Sequence, residues 1–216
     1  MYKVKAKHKE KEAEFFVREN SLDEIVARQV WEKDFYLDNR YDIKFGDMVI
    51  DIGAHIGTFT VLARSYGANI IAYEPEPENY KMLKDNLKLN NMRARIFKKA
   101  VRGTNGIDKL WIHPTNSGGH TFLRIGKEKF INVECIDLRS ILADMDKCDL
   151  LKLDCEHSEY KILIGTDLSK IEKITMEYHM IEPAKKLVKY LKKSGFKIET
   201  FYGNSKLGKI QARRIR

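Results

Sequence analysis

Cysteine is scarce in this chain: Cys135, Cys148 and Cys155 make an odd number and show no C-x-x-C spacing. That leaves neither a disulfide framework nor a zinc knuckle, and the three read as buried thiols. Four prolines and thirteen glycines in 216 residues produce no collagen-like or low-complexity stretch. No window approaches the roughly 20 apolar residues that span a bilayer. The start "MYKVKAKHKEKEAEFF" also lacks the apolar run of a secretory signal. These absences predict a cytoplasmic chain with no membrane partner, folded as one compact domain, because its length is short for two. Nothing in the sequence sets an oligomeric state.

What is present is positive charge, a formal +9, with basic runs at the two ends ("KVKAKHKEK" and "ARRIR"). Such runs leave RNA open as a partner, since Lys and Arg neutralise phosphates. The "KK" pairs elsewhere fit solvated helix faces.

Along the chain, "SLDE" at Ser21–Glu24 has the form of a capping box and opens a helix through about Glu32. Residues 1–45 are read as an N-terminal helical cover and residues 46–216 as the main body. In that body "DMVIDIG" reads as a buried strand, "TFTVLARSY" as a helix ended by Gly67, "NIIAYEP" as a second strand and "PENYKMLKDNLKLNN" as a second helix. "RARIFKKAV" is expected as a third strand. "KLWIH", "TFLRI" and "FINVEC" are expected as an antiparallel insertion before the helix "DLRSILADM". "CDLLKLD" is a continuous apolar strand, and helices and strands then alternate to the C-terminus. This pattern predicts an α/β fold with a mostly parallel, doubly wound sheet and a ligand crevice beyond the strands' carboxyl ends.

Those ends carry Asp51, Glu74, Asp154 and His179. The loop "DIGAHIG" is not the G-x-G-x-x-G of a dinucleotide site. A carboxylate there repels a pyrophosphate but suits an ammonium, while Gly53 and Gly57 let backbone come close. S-adenosylmethionine carries such an ammonium, and its ribose diol suits Glu74 at the end of the next strand. The bland alternatives are a strand-ending turn for "DIG" and a helix-start acid run for "YEPEP".

"VIDIGAHIGTFTVLA", "AYEPEPENYKMLKDNLKLNN", "CIDLRSIL" and "LLKLDCEHSEYKIL" together resemble the FkbM-type family of S-adenosylmethionine-dependent methyltransferases, over about residues 35–180. The resemblance implies a Rossmann-like class I methyltransferase fold, with an antiparallel C-terminal strand and a small β insertion, and O-methylation of sugars or other small molecules. It further implies that Asp51, Gly53 and Gly57, with Ala54 and His55 of the same loop, hold the methionine end of the cofactor. Glu74 and Pro75 of the E-P motif would meet the ribose, and Ala100 and Val101 would lie near adenine. His157 stands where the family's D-x-E-G-x-E motif has glycine, a departure that bears on the turn and on the substrate.

A hydroxyl acceptor needs a base. His179 is the expected base, since a free imidazole titrates near neutrality, and Asp154 is expected to face the methyl group. Glu156, His157 and His120 of the polar loop "HPTNSGGHTFL" are expected substrate contacts, and that loop is expected to be mobile or a hairpin turn. Asp154, Glu156, Glu177 and His179 leave a divalent metal open, but no recognised ligand spacing favours one. Adenine amino-methylation is disfavoured, because "DCEH" replaces the D/N-P-P-aromatic loop. Cytosine-carbon methylation is disfavoured too, because no proline precedes Cys155. An RNA ribose or ring-nitrogen methyltransferase is the runner-up, and a noncatalytic cofactor- or RNA-binding module the third reading.

Overall fold

The computed structural model describes residues 1–37, 41–124 and 129–215. Its first element corrects the expected helical cover: β1 (Tyr2–His8) and β2 (Lys11–Val17) form an antiparallel hairpin before α1 (Asp23–Glu32). The reason is a period of two. Val4, Ala6, Ala13, Phe15 and Val17 face the core, while Lys5 and Lys7 stand opposite Glu14 and Glu12 on the outer face. The capping box does not close. Ser21 Oγ accepts from Asp23 N at 3.2 Å and donates to Arg18 O, but the Glu24 carboxylate turns to Tyr2 and Arg28.

The body follows as β3 (Met48–Ile52), α2 (Thr58–Ser65), β4 (Asn69–Tyr73), α3 (Pro77–Leu89) and β5 (Arg95–Phe97). The insertion holds β6 (Ala100–Arg102), β7 (Gly106–Trp111) and β8 (Phe130–Asp137). Then come α4 (Leu138–Ala143), β9 (Cys148–Leu153), α5 (Glu159–Leu163), β10 (Ile171–His179), α6 (Ile181–Lys193), β11 (Phe196–Gly203) and β12 (Leu207–Arg214).

Seven strands make the main sheet in the order β11-β12-β10-β9-β3-β4-β5. Its pairs are parallel except for β12, which runs antiparallel to both β10 and β11. Two expectations for the insertion change. "RARIFKKAV" is not one strand: β5 ends the main sheet after three residues, and past Lys98–Lys99 the chain joins a separate sheet, β6-β8-β7. There β6 pairs parallel with β8, and only β7–β8 is antiparallel. "TFLRI" makes a single bridge, Trp111 to Thr121, because the Thr121 hydroxyl turns to the carbonyl of Glu156; Ile125 lies outside the described residues.

The central strands are buried on both sides, as a doubly covered parallel sheet requires. Val49 and Leu150 face Phe15, Trp31, Phe59 and Leu83 on one side. Ile50, Ile52 and Leu151 face Leu163, Met176, Leu187 and Phe196 on the other. The N-terminal segment therefore shares the first core, and Trp31 Nε1 donates to Thr58 O at 3.0 Å.

Two asparagines one turn apart on α3 dress the free edge of β2. Asn86 accepts from Phe16 N at 2.7 Å, and Asn90 both accepts from Glu14 N and donates to Glu14 O, at 3.0 and 2.7 Å. The basic ends are engaged as well. Lys5 lies 3.8 Å from Glu14, Arg213 is 3.6 Å from Glu199, and Arg214 donates to the carbonyls of Leu168 and Ile171. Among the described residues no helix is long and apolar enough to cross a membrane.

Candidate active site

The carboxyl ends of β3, β4 and β9 are tied together by backbone bonds: Gly53 N and Ala54 N both donate to Tyr73 O at 3.0 Å, and Asp154 N to Ile52 O at 3.1 Å. Beyond them opens a cavity enclosing about 1150 Å³ of free space, its mouth included. Of the residues singled out from sequence, Gly53, Ala54, His55, Glu74, Pro75, Ala100, Val101, His120, Asp154 and Glu156 line it.

Asp51 and Gly57 do not line it. Asp51 is fully buried, accepts from Thr60 Oγ1 at 2.7 Å and pairs with Lys152 Nζ at 3.0 Å. Lys152 also donates to Gly53 O at 2.7 Å. Burial opposes its charge, but Asp51 and Asp154 outweigh it and raise its pKa. The glycines have packing reasons: a Cβ on Gly53 (φ +76°) would overlap the Asp154 carbonyl, and one on Gly57 (φ +90°) would overlap Leu83.

Glu74, nearly buried, accepts from His55 N at 2.8 Å and Glu76 N at 3.0 Å. Burial pushes its pKa up against those amides. Glu76 caps α3 instead, accepting from Asn79 N at 2.7 Å, so the two acids of "YEPEP" divide the tasks of lining the cavity and capping the helix. Asp154 accepts from the Tyr36 hydroxyl at 2.6 Å, and burial with that carboxylate keeps the phenol protonated.

The loop expected to be mobile is fastened over the cavity. Ser117 Oγ donates to Asp23 at 2.7 Å, and Asn79 Nδ2 donates to Ser117 O at 2.8 Å. Arg18 bridges Asp23 and Asn79, at 2.8 and 2.7 Å. Burial would raise the Asp23 pKa, but its bonds to His55 and Arg18 hold it well below the usual carboxylate range. His120, on the same loop, is pushed down to about 4 by burial first and then by its neighbours His55 and Arg18, so it is neutral at pH 7.

A second cavity, about 1190 Å³ with its opening, adjoins the first. Glu156, Glu177 and Asn116 line both. His157 and His179 line only the second. His179 is ringed by carboxylates: Nδ1 is 3.1 Å from Glu159, and Nε2 is 3.2 Å from Glu156 and 3.6 Å from Glu177. Burial disfavours the imidazolium, but the bond and charge of Glu159, joined by Glu156 and Asp154, push it up to about 10. Raised in this way, His179 fits the expected part of base less well than its carboxylate neighbours do, because an imidazole that keeps its proton has no room for another. Glu177 and Glu156 are raised as well, to about 8 and about 7, by burial first, with Asp154 adding to both. Cys155 lines the first cavity, and burial raises its thiol well above the ordinary range, so it stays a neutral thiol.

Sequence reasoning missed Lys152, Tyr36, Asn79 and the Arg18–Asp23 pair. A lysine inside "LLKLD" was a signal, since an unpaired charge does not survive in a central strand. Tyr36 in "DFYLDN" carried none.

The fold and the two adjoining cavities define a class I S-adenosylmethionine-dependent methyltransferase. Residues 51–198 match the Methyltransferase FkbM domain, and the chain belongs to that family. It is similar to the 31-O-demethyl-FK506 methyltransferase FkbM of Streptomyces tacrolimicus, 23% identical over 233 residues, covering 88% of this chain and 90% of that protein. It is also similar to methyltransferase sdnD of Sordaria araneosa, 26% identical over 186 residues, covering 68% and 71%. Among solved structures it resembles the Pyrococcus abyssi tRNA (uracil-54, C5)-methyltransferase in complex with S-adenosyl-L-homocysteine, at TM-score 0.57 and 12% identity, covering 97% and 43%. It resembles likewise the precorrin-6y C5,15-methyltransferase of Geobacter metallireducens, at TM-score 0.50 and 15% identity, covering 80% and 82%. Those last two likenesses speak for the fold alone.

Proposed function

We propose that this chain moves the methyl group of S-adenosylmethionine to a hydroxyl of a small-molecule acceptor, with Glu177 receiving the hydroxyl proton. The observation that carries the reading is the junction of the two cavities at Glu156 and Glu177, next to Asp154. One cavity has the lining the cofactor needs. Glu74 accepts from the ribose diol, Pro75, Ala100 and Val101 flank the adenine, and Gly53, Ala54 and His55 take the methionine end. Asp51 acts indirectly by holding Lys152, and Gly57 by letting α2 approach α3.

The transfer is an in-line displacement: the acceptor oxygen bonds the methyl carbon, the sulfonium bond breaks, and the proton leaves to the carboxylate as S-adenosylhomocysteine forms. Asp154, oriented by Tyr36, sets a negative charge beside the cationic sulfonium. Glu177, raised by burial to about 8, becomes the base as pH rises through that value, and once ionised it holds a proton more firmly than a free carboxylate does. Asn116 borders the acceptor, and His120 faces the cofactor cavity beside it.

A relative named for an acceptor demethylated at oxygen supports a small hydroxylic substrate. The RNA reading draws less support, because Lys5 and Lys7 of β1 face glutamates and Arg213 and Arg214 are bound within the fold. A divalent cation at Asp154, Glu156 and His179, whose ligand atoms lie within 4.8 Å of one another, would have to displace the proton that the carboxylates hold on His179.

Calorimetry should show binding of S-adenosylmethionine, and Glu74→Ala should weaken it by about 1–3 kcal/mol. NAD binding in its place would overturn the cofactor assignment. Glu177→Gln should lower kcat by about 10²–10⁴-fold with cofactor affinity little changed; normal turnover would remove Glu177 from the chemistry. EDTA should leave activity intact, and a loss restored by Mg²⁺ would replace the base with a metal.

A further inference from the structure

Three described non-glycine residues in the left-handed backbone region border the second cavity: Glu156 (φ 47°), His157 (φ 74°) and Met180 (φ 77°). Non-glycine residues are uncommon in that region, and they persist where the surrounding structure holds them. Glycine would occupy position 157 freely. The chain instead carries an imidazole there, its ring 5.1 Å from that of His179.

The state of that ring follows from its surroundings. Nδ1 is buried with no hydrogen-bond partner. An imidazolium would bury an N–H at Nδ1 with nothing to accept it, so the neutral ring is the form that fits. A neutral imidazole carries one N–H, and burying an N–H without an acceptor is the costlier choice, which leaves the proton on Nε2. His157 therefore offers the cavity a hydrogen-bond donor without a charge. Glu156 and Glu177, on the same cavity, offer acceptors. A donor beside carboxylate acceptors complements two neighbouring oxygens, one giving its proton and one receiving a hydrogen bond.

The geometry points to His157 as the residue that selects the acceptor in the second cavity, by donating from Nε2 to the oxygen adjacent to the hydroxyl being methylated, so that the acceptor carries a vicinal diol. This rests on the hydroxyl-methylation reading above. The hydroxyl that gives its proton to Glu177 is methylated; its neighbour is held by His157 and leaves unchanged.

The test is a panel of methyl hexopyranosides and their monodeoxy counterparts, assayed for S-adenosylhomocysteine release by the full chain and by His157→Gly and His157→Asn. The wild type should favour a vicinal diol over the matching deoxy compound by about 10–100-fold in kcat/KM. His157→Gly should lose that preference mainly through KM, keep its cofactor affinity, and melt about 2–4 °C higher as the left-handed position is relieved. Asn, which tolerates this conformation and retains an N–H donor, should restore much of the preference. Stability and selectivity moving in opposite directions is a result that a merely structural histidine would not give. If His157→Gly discriminates as well as wild type, or if it melts lower and binds cofactor more weakly, the assignment falls while hydroxyl methylation stands. If wild type binds S-adenosylmethionine but methylates no diol, the hydroxyl reading itself is overturned and the inference with it.

Discussion

Lys152 is 3% exposed and Asp51 is fully buried, so neither can lose the other without leaving a charge in the sheet. Lys152→Met should cost about 3–5 kcal/mol by chemical denaturation, because an unpaired buried carboxylate remains, whereas Lys152→Met with Asp51→Asn should recover most of it. A double variant no more stable than the single would dismiss the pair. Glu177 gives a test with the opposite sign. Facing it are Asp154, Glu156, His179 and Lys152, with Lys209 opposite on β12 and Tyr36 from the cover. Its pKa in the fold is raised above the value in an unfolded chain, so the native state binds the extra proton and stability falls as pH climbs between the two values. His179 is raised as well. Its contribution is complete below its ordinary value and is lost as pH rises through about 10. Wild type should therefore melt progressively lower from pH 5 to 9, and Glu177→Gln should lose less over that range. The rate of methyl transfer should rise over the same interval as the carboxylate ionises. A flat rate profile, or equal thermal slopes in the two proteins, would contradict the burial of that acid.

The loop Asn116–Thr121 and the cover meet through Ser117, which joins α1 through Asp23 and α3 through Asn79. Ser117→Ala removes the hydroxyl's bonds to the buried Asp23 carboxylate and to His55 Nε2, at 2.7 and 3.0 Å, so release of S-adenosylhomocysteine should quicken about 5–10-fold while overall stability falls by about 1–2 kcal/mol. Stopped-flow displacement measures this, and an unchanged off-rate would mean that the loop does not govern the cavity. The main-sheet strands around the site were legible in the sequence, since "MVIDIG", "IIAYEP" and "LLKLD" are apolar runs ending in acids, and a parallel sheet collects such ends at one edge. The hairpin was not read, because its alternation is of lysine and glutamate with small apolar residues and looks like a basic tail until the cross-strand register is known. The protonation of His179 was equally hidden. It depends on Glu156 and Glu159 of the following turn, a contact set by tertiary packing and by no spacing in the chain. Asp51 was identified from sequence but its partner was not, so an acid that looked available to a ligand turns out to be occupied.

At the scale of the whole molecule the two ends of the chain close opposite parts of one body. The hairpin and α1 share the first core with Phe59 and Leu83, while β12 fills the space between β10 and β11. Basic residues of both ends, Lys5, Arg213 and Arg214, are thus engaged within the fold, and turnover of an uncharged acceptor should change little between 50 and 500 mM salt, where phosphate-dependent binding would collapse. The asparagine pair on α3 has a consequence for synthesis. A nascent chain exposes β1 and β2 long before residues 86–90 leave the ribosome, an interval of several seconds at about 5–20 residues per second. During it, the outer edge of β2 is an unpaired template, and only the lysines and glutamates on its face discourage a neighbouring nascent chain from adding a strand. Polysomes crowd such chains together. Asn86→Ala with Asn90→Ala prolongs that exposure indefinitely, and its mark should be a larger insoluble fraction on expression at 37 °C than at 18 °C, with the soluble remainder still binding S-adenosylmethionine.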